Sequence, residues 1–365
     1  MESCFGAGIL SRSSALVAWR RAAVILLVGP LLVCLAARPA AAVIISSGNG
    51  QTGVDPSNPL TANVGISSTG GASVTYLGND WAITADHVNT NTGGVGPLQI
   101  GGNDYSVDET IQLTNPQDDS LADLKVVHIV TGGANPPAPV LPNLQIASSS
   151  LGLGATVEMV GNGQSLNVDE SGSPVQYYWN ATGPDNNLTW TQVSASMADP
   201  QPGNASGYVT TDTNTIRYGE NDVSNVTGAS PVYDGSSYTV TAFTTTFNDS
   251  YYSPSATLYS DEAQATLGDS GGAVFSFVDG QWQLVGIMVA EATYSNQPSN
   301  VSPSLGDAAG TAVFGDESYI ADLSVYRSQI VAVVPEPSSL LMAALGGLGL
   351  LLAAVRRRLR AVGRA

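Results

Sequence analysis

The stretch TLGDSGGAVF, residues 266–275, sets one serine between an aspartate and two glycines, directly ahead of an apolar run. Glycines on both sides of the Asp269-Ser270 pair let the backbone turn sharply and aim successive N–H groups at one point, an anion-binding concavity. The N–H groups of Gly268 and Ser270 are the natural donors there. A serine hydroxyl alone is a poor nucleophile. It needs a base within hydrogen-bond reach, an acid to orient that base, and donors for the developing oxyanion. The base and the acid must come from elsewhere in the chain.

Only two histidines exist, His87 and His128. His128 lies within KVVHIV, residues 125–130, where a strand sets it beside apolar residues as a structural histidine. His87 ends WAITADH, residues 81–87, an apolar strand running into a turn. That places an imidazole at a strand end, which suits a base and equally suits a surface turn. For the acid, Asp123 stands at the mouth of the apolar strand in SLADLKVVHI, residues 120–129, with Asp118 and Asp119 just upstream in a loop. Each of these also reads as a solvated turn aspartate.

Around these residues the pattern is that of strands. Runs such as NVGISS (63–68), SVTYLG (73–78), TVEMVG (156–161) and YTVTAFTTTF (238–247) are rich in Val, Ile, Thr and aromatics and are divided by Gly, Asn, Asp and Pro. The expectation is an all-β body. The prolines of NPPAPVLPN, residues 135–143, suit a crossing between two barrels or sheets. Residues 165–255 are rich in Asn, Thr, Ser, Gly and Tyr and are expected as a β-containing insertion with long surface loops. One amphipathic helix is expected within DESYIADLSVYRSQIV, residues 316–331, with Ile320, Leu323, Tyr326 and Ile330 on one face and Asp316 or Ser318 as its cap.

Both ends differ from the body. Arg20 and Arg21 precede the apolar run of residues 22–37, and small residues follow at Ala40 and Ala42, the pattern of a secretory signal (1–42) cut before Val43 by signal peptidase. At the other end VPEP (334–337) leads into a glycine-rich apolar stretch (338–355) and the cluster RRRLR (356–360). This stretch is just long enough for a transmembrane helix, with its arginines on the cytoplasmic side, so the membrane is met only through the terminal hydrophobic helices. The tail 334–365 resembles the PEP-CTERM sorting signal, which implies recognition and removal by an exosortase-type enzyme and delivery to the cell surface or extracellular matrix.

Between residues 43 and 333 only Lys125, Arg217 and Arg327 are basic, against nearly all of the chain's 30 acidic residues, which excludes nucleic acid as a partner. Both cysteines, Cys4 and Cys34, lie before Val43, so the body relies on core burial and not on disulfides. The acidic segments TDTNT (211–215) and NDVSN (221–225) read as solvated loops with no calcium-binding spacing.

ITADH (83–87), ADLKVV (122–127) and GDSGG (268–272), in that order, resemble the three signatures of trypsin-like, chymotrypsin-fold serine proteases. VEMVGNG (157–163), LVGIMV (284–289) and the helix near 318–331 resemble that family's flanking elements. The resemblance implies two packed six-stranded antiparallel Greek-key barrels with a short C-terminal helix, the first about 43–145 and the second about 146–333. It implies a serine endopeptidase in which His87 is the base, Asp123 its orienter, Ser270 the nucleophile, and Gly268 with Ser270 the oxyanion hole. It implies no cofactor and no metal; the partner is a protein or peptide substrate.

The family's pocket-floor position falls on Gln264, while Glu291 is expected to lend the pocket negative charge. Asp269 calls for a cation, expected from the amine freed at Val43 or from Arg217. Asp86 departs from the family pattern by adding a charge beside His87. That departure and the Asn/Thr-rich insertion leave a second reading open, a non-catalytic surface or matrix protein retaining the protease fold.

Overall fold

Alternating apolar residues and short glycine turns fold the first half of the body into one antiparallel sheet. The computed structural model describes residues 43–68, 71–89, 98–194, 204–226, 238–248, 262–298 and 310–334. In the first half, seven strands lie in the order Asn103–Tyr105, Leu98–Ile100, Val64–Ser67, Ser73–Gly78, Trp81–Thr84, Leu121–Ile129, Val107–Thr114. Their inner face buries Val74, Ala82, Leu98, Ile100 and Val127 around Tyr105. Period-two alternation along Leu121–Ile129 sends Leu124 and Val126 to a second core, where they meet Ile83, Val160, Phe275 and Leu284. This shared core joins the two halves.

The second half closes on itself. Strands Thr156–Gly161, Ala273–Val278, Gln281–Ala292, Glu317–Asp322, Ala242–Thr246 and Arg217–Asn225 follow one another, and the last pairs back with the first. Short Gln51–Thr52 adds at the edge of Arg217–Asn225. The body is therefore nearly all-β, with two barrel-like sheets and one short helix. The first sheet has seven strands, and the hairpin Leu98–Tyr105 forms its edge beyond Val64–Ser67.

Two expectations shift at residue level. The Asn/Thr-rich segment does contain a separate sheet, built from Gln164–Leu166, Gln176–Thr182, Thr189–Val193, Asn204–Asn214 and Thr311–Val313. However, Arg217–Asn225 and Ala242–Thr246 belong to the closed barrel, and the segments read as acidic loops at 211–215 and 221–225 lie largely in strands. The helix begins later than expected. It runs Leu323–Val333 and is capped by Asp322, whose side chain accepts from Ser324 N, not by Asp316 or Ser318. Residues 317–322 are a strand because Ile320 and Ala321 pair on both sides, with Met288 and Ile287 and with Phe243 and Ala242. Leu323, Tyr326 and Ile330 do share the buried helix face. Each contributes about 1.5–3 kcal/mol by leaving water.

Residues 1–42 and 335–365 lie outside the described residues, and with them the expected signal and the expected C-terminal span. Among the described residues no helix is long and apolar enough to cross a membrane.

Candidate active site

The strand Trp81–Thr84 ends in a turn that carries His87 across to Asp123. The Asp123 carboxylate takes both available hydrogens from that residue: His87 N donates to Oδ1 at 3.0 Å, and ring Nδ1 meets Oδ2 at 2.8 Å. Both side chains are shielded, at 9% and 3% exposure. Fixing the ring through Nδ1 leaves Nε2 as the acceptor. The other acids do not compete. Asp118 is exposed and accepts from Ser120 N and Oγ of its own turn, which holds its carboxyl below the usual carboxylate range. His128, on the same strand as Asp123, meets Asp108 at 2.7 Å and packs beside Trp81, with ring centroids 4.9 Å apart.

Asp86 and Lys125 stand together beside this pair. Lys125 Nζ donates to the carbonyls of Asp86 at 2.7 Å and Val88 at 2.6 Å, and lies 4.0 Å from the Asp86 carboxylate. Burial raises the pKa of Asp86, and the Lys125 ammonium pulls it partly back.

The Ser270 loop is seated through its backbone. Ser73 N donates to Ser270 O at 2.9 Å, Ser73 Oγ to Gly268 O at 3.0 Å, and Thr75 Oγ1 to Gly271 O at 3.0 Å. Gly268 and Gly271 have φ of +102° and +88°, a region glycine enters freely. A side chain at Gly271 would also strike Ser73 O and Thr84 Oγ1. The loop thus lies against Thr84, three residues before His87. Within it the amides of Asp269, Gly271 and Gly272 donate to Thr266 O, Met288 O and Asp269 O. Those of Gly268 and Ser270 have no acceptor among the described residues.

Asp269 is fully buried. Its carboxylate accepts from Gly163 N at 2.7 Å, from Thr266 N at 2.8 Å and from the backbone N–H of Val43. Burial nevertheless pushes its pKa up to about 7, because no cation among the described residues faces it and the hydrogen bonds recover only part of the lost hydration. Gly161 and Gly163 are required here, since a Cβ on either would collide with this carboxylate. Arg217 is not its partner, which corrects one of the two expectations. The Arg217 guanidinium is buried, donates through Nη1 to Gly50 O at 2.5 Å, and has its pKa lowered to about 10 by burial.

Beside Ser270 lies a narrow recess of about 30 Å³, lined among others by Thr266, Leu267, Met288 and Glu291. Glu291 therefore stands where a pocket residue was expected. Its side chain remains open to water, although surrounding protein first, and Asp316 and Asp269 second, push its pKa up. Gln264 does not line this recess. It is fully buried on the short strand Ala263–Gln264, paired with Ile44–Ile45. A straight count back from the serine missed this because Gln264 still belongs to that strand pairing, before the turn begins at Leu267. A larger cavity of about 690 Å³ lies between the hairpin of Ala181 and Trp190 and the segment Thr293–Ser295, and holds none of His87, Asp123 or Ser270. Among the described residues no cluster of His, Cys, Asp or Glu is placed to hold a metal ion.

Comparison with known proteins adds one motif and a general likeness. Residues 333–358 match the family described as the PEP-CTERM protein-sorting motif, which supports export, sorting to the cell surface and processing by an exosortase-type enzyme. No curated protein matches the chain in sequence. Among solved structures, an inactive serine-to-alanine mutant of Rv3671c from M. tuberculosis H37Rv is similar with a TM-score of 0.37 at 13% identity, covering 79% of this chain and 98% of that one. Neuropsin, a serine protease expressed in the limbic system of mouse brain, is similar with a TM-score of 0.35 at 15% identity, covering 72% and 88%.

Proposed function

We propose that residues 43–333 form an exported serine endopeptidase, freed by signal removal at Val43 and sorted by the C-terminal motif. The observation that carries this reading is the double grip of Asp123 on His87, together with two unoccupied amides flanking Asp269. In the reaction the Ser270 Oγ attacks the peptide carbonyl carbon while its proton passes to His87 Nε2. The carbonyl electron pair moves to oxygen and is held by the amides of Gly268 and Ser270. The C–N bond then breaks as His87 gives its proton to the departing amine. Water, deprotonated by the same imidazole, releases the acyl group from Ser270.

The recess beside Ser270, lined by Leu267, Met288 and Glu291 among others, would take the side chain before the cut.

A fluorophosphonate probe tests the reading directly. It should label the wild-type protein and not Ser270→Ala. Folded protein that resists labelling would support the non-catalytic reading, and hydrolysis of esters with protein substrates left intact would point to an esterase.

A further inference from the structure

We infer that Lys125 is a positioning residue for His87, its ammonium clamping the turn that carries the imidazole. This rests on the reading of His87 as the general base. Lys125 is the only lysine in the 365 residues, and it is buried at 7% exposure. A lysine is ordinarily the side chain that most readily stays in water, so its burial here needs partners. It has them in an instructive place: the two carbonyls it holds, Asp86 O and Val88 O, belong to the residues immediately before and after His87.

One strand does both jobs. Asp123 and Lys125 are two residues apart on Leu121–Ile129, and both reach the turn 86–88, one at the imidazole and the other at the peptide groups around it. Lys125 is also the cross-strand neighbour of Thr84, the last residue of the strand leading into the turn. The His87 backbone is thus fixed at three successive residues, by Lys125 at Asp86 and Val88 and by Asp123 at His87 itself.

Charge holds the clamp in place. Asp86 and Asp123 are the carboxylates beside the ring, and the Lys125 ammonium lies 4.0 Å from the first of them. Among the described residues Lys125 is the one cation facing them; from the serine loop Asp269 is turned away onto Gly163 and Thr266. The ammonium is therefore held against the turn by both carboxylates. Burial lowers the pKa of Lys125, and Asp86 and Asp123 pull it back up.

Lys125→Met, Lys125→Gln and Lys125→Arg test this in the full residue 43–333 protein. With folding checked by circular dichroism, Lys125→Met should react with fluorophosphonate about tenfold or more slowly, as a small displacement of a catalytic group costs. Arginine, which keeps a charged donor, should restore the rate in part, and glutamine, shorter and uncharged, should not. With only two histidines in the chain, the His87 ring is read by ¹H–¹⁵N NMR in a His128→Gln background. The Asp123-bonded Nδ1–H signal should broaden or vanish in Lys125→Met. That signal needs no turnover, so it decides the clamp even if the wild-type protein does not react with the probe. A folded Lys125→Met with a wild-type labelling rate and an unchanged Nδ1–H signal would overturn the inference.

Discussion

Val43 gives its backbone N–H to the buried carboxylate of Asp269 while itself sitting at φ +34°, a conformation that a β-branched residue rarely adopts. Both features depend on the peptide that precedes Val43. Removing that peptide frees φ from its steric partner and turns the amide into an ammonium beside an acid that no cation among the described residues faces. Protein beginning at Val43 should therefore melt higher and react faster with fluorophosphonate than protein carrying two extra residues. Asp269→Ala in the trimmed form should cost about 3–5 kcal/mol, as breaking a buried pair does. Equal melting and equal labelling of the two forms would show that Val43 serves Asp269 only as an amide.

Asp123→Asn should keep the fold and lose the chemistry. The amide still fills the space between the two His87 hydrogens, but its NH₂ group favours the wrong ring tautomer. Labelling of Ser270 should fall about 10⁴-fold, the loss known for this change in such triads. A loss of tenfold or less, measured as a second-order rate, would remove Asp123 from its assigned role.

Gly271→Ala tests the seat of the serine. The residue is at φ +88°, and its Cβ would meet Ser73 O and Thr84 Oγ1. Strain of this kind costs about 1–3 kcal/mol before any collision is counted. Denaturant melts should show at least that loss, with labelling reduced further because the loop must lift from the first sheet.

Stability should fall as pH rises through neutrality. Glu158 and Asp316 are buried acids whose pKa values burial pushes up to about 8 and about 7. An acid with a raised folded pKa favours the folded state fully below its unfolded value, and that contribution disappears as pH climbs through the folded one. The melting temperature should thus be higher at pH 5 than at pH 8.5. Glu158→Gln keeps an acceptor for Asn58 Nδ2, which donates to the carboxylate at 2.6 Å, and should flatten the decline. An unchanged slope in the variant would assign the pH dependence elsewhere.

Much of this was legible before any coordinates. Two of the three motifs meet through His87 and Asp123, and the strand pattern around Asp123 already gives it a strand to stand on. The sequence reading failed where pairing overrides local pattern. Ile320 fits a helical face by spacing, yet its neighbours across the sheet hold it in a strand. Arg217 looked available to Asp269 because both are isolated charges, but a carbonyl 167 residues away takes it instead. Lys125 passed unnoticed because its carbonyl partners lie in another strand's turn, a relation without any spacing signature.

The seat of Ser270 is divided in time as well as in space. Ser73 Oγ reaches Gly268 O across 195 residues of chain, so the hydroxyls that shape the loop are synthesised and exported long before the loop itself. A polypeptide threading a membrane in sequence order carries these parts unassembled. The loop that carries Ser270 thereby takes its shape only once both halves of the body have emerged and closed on one another.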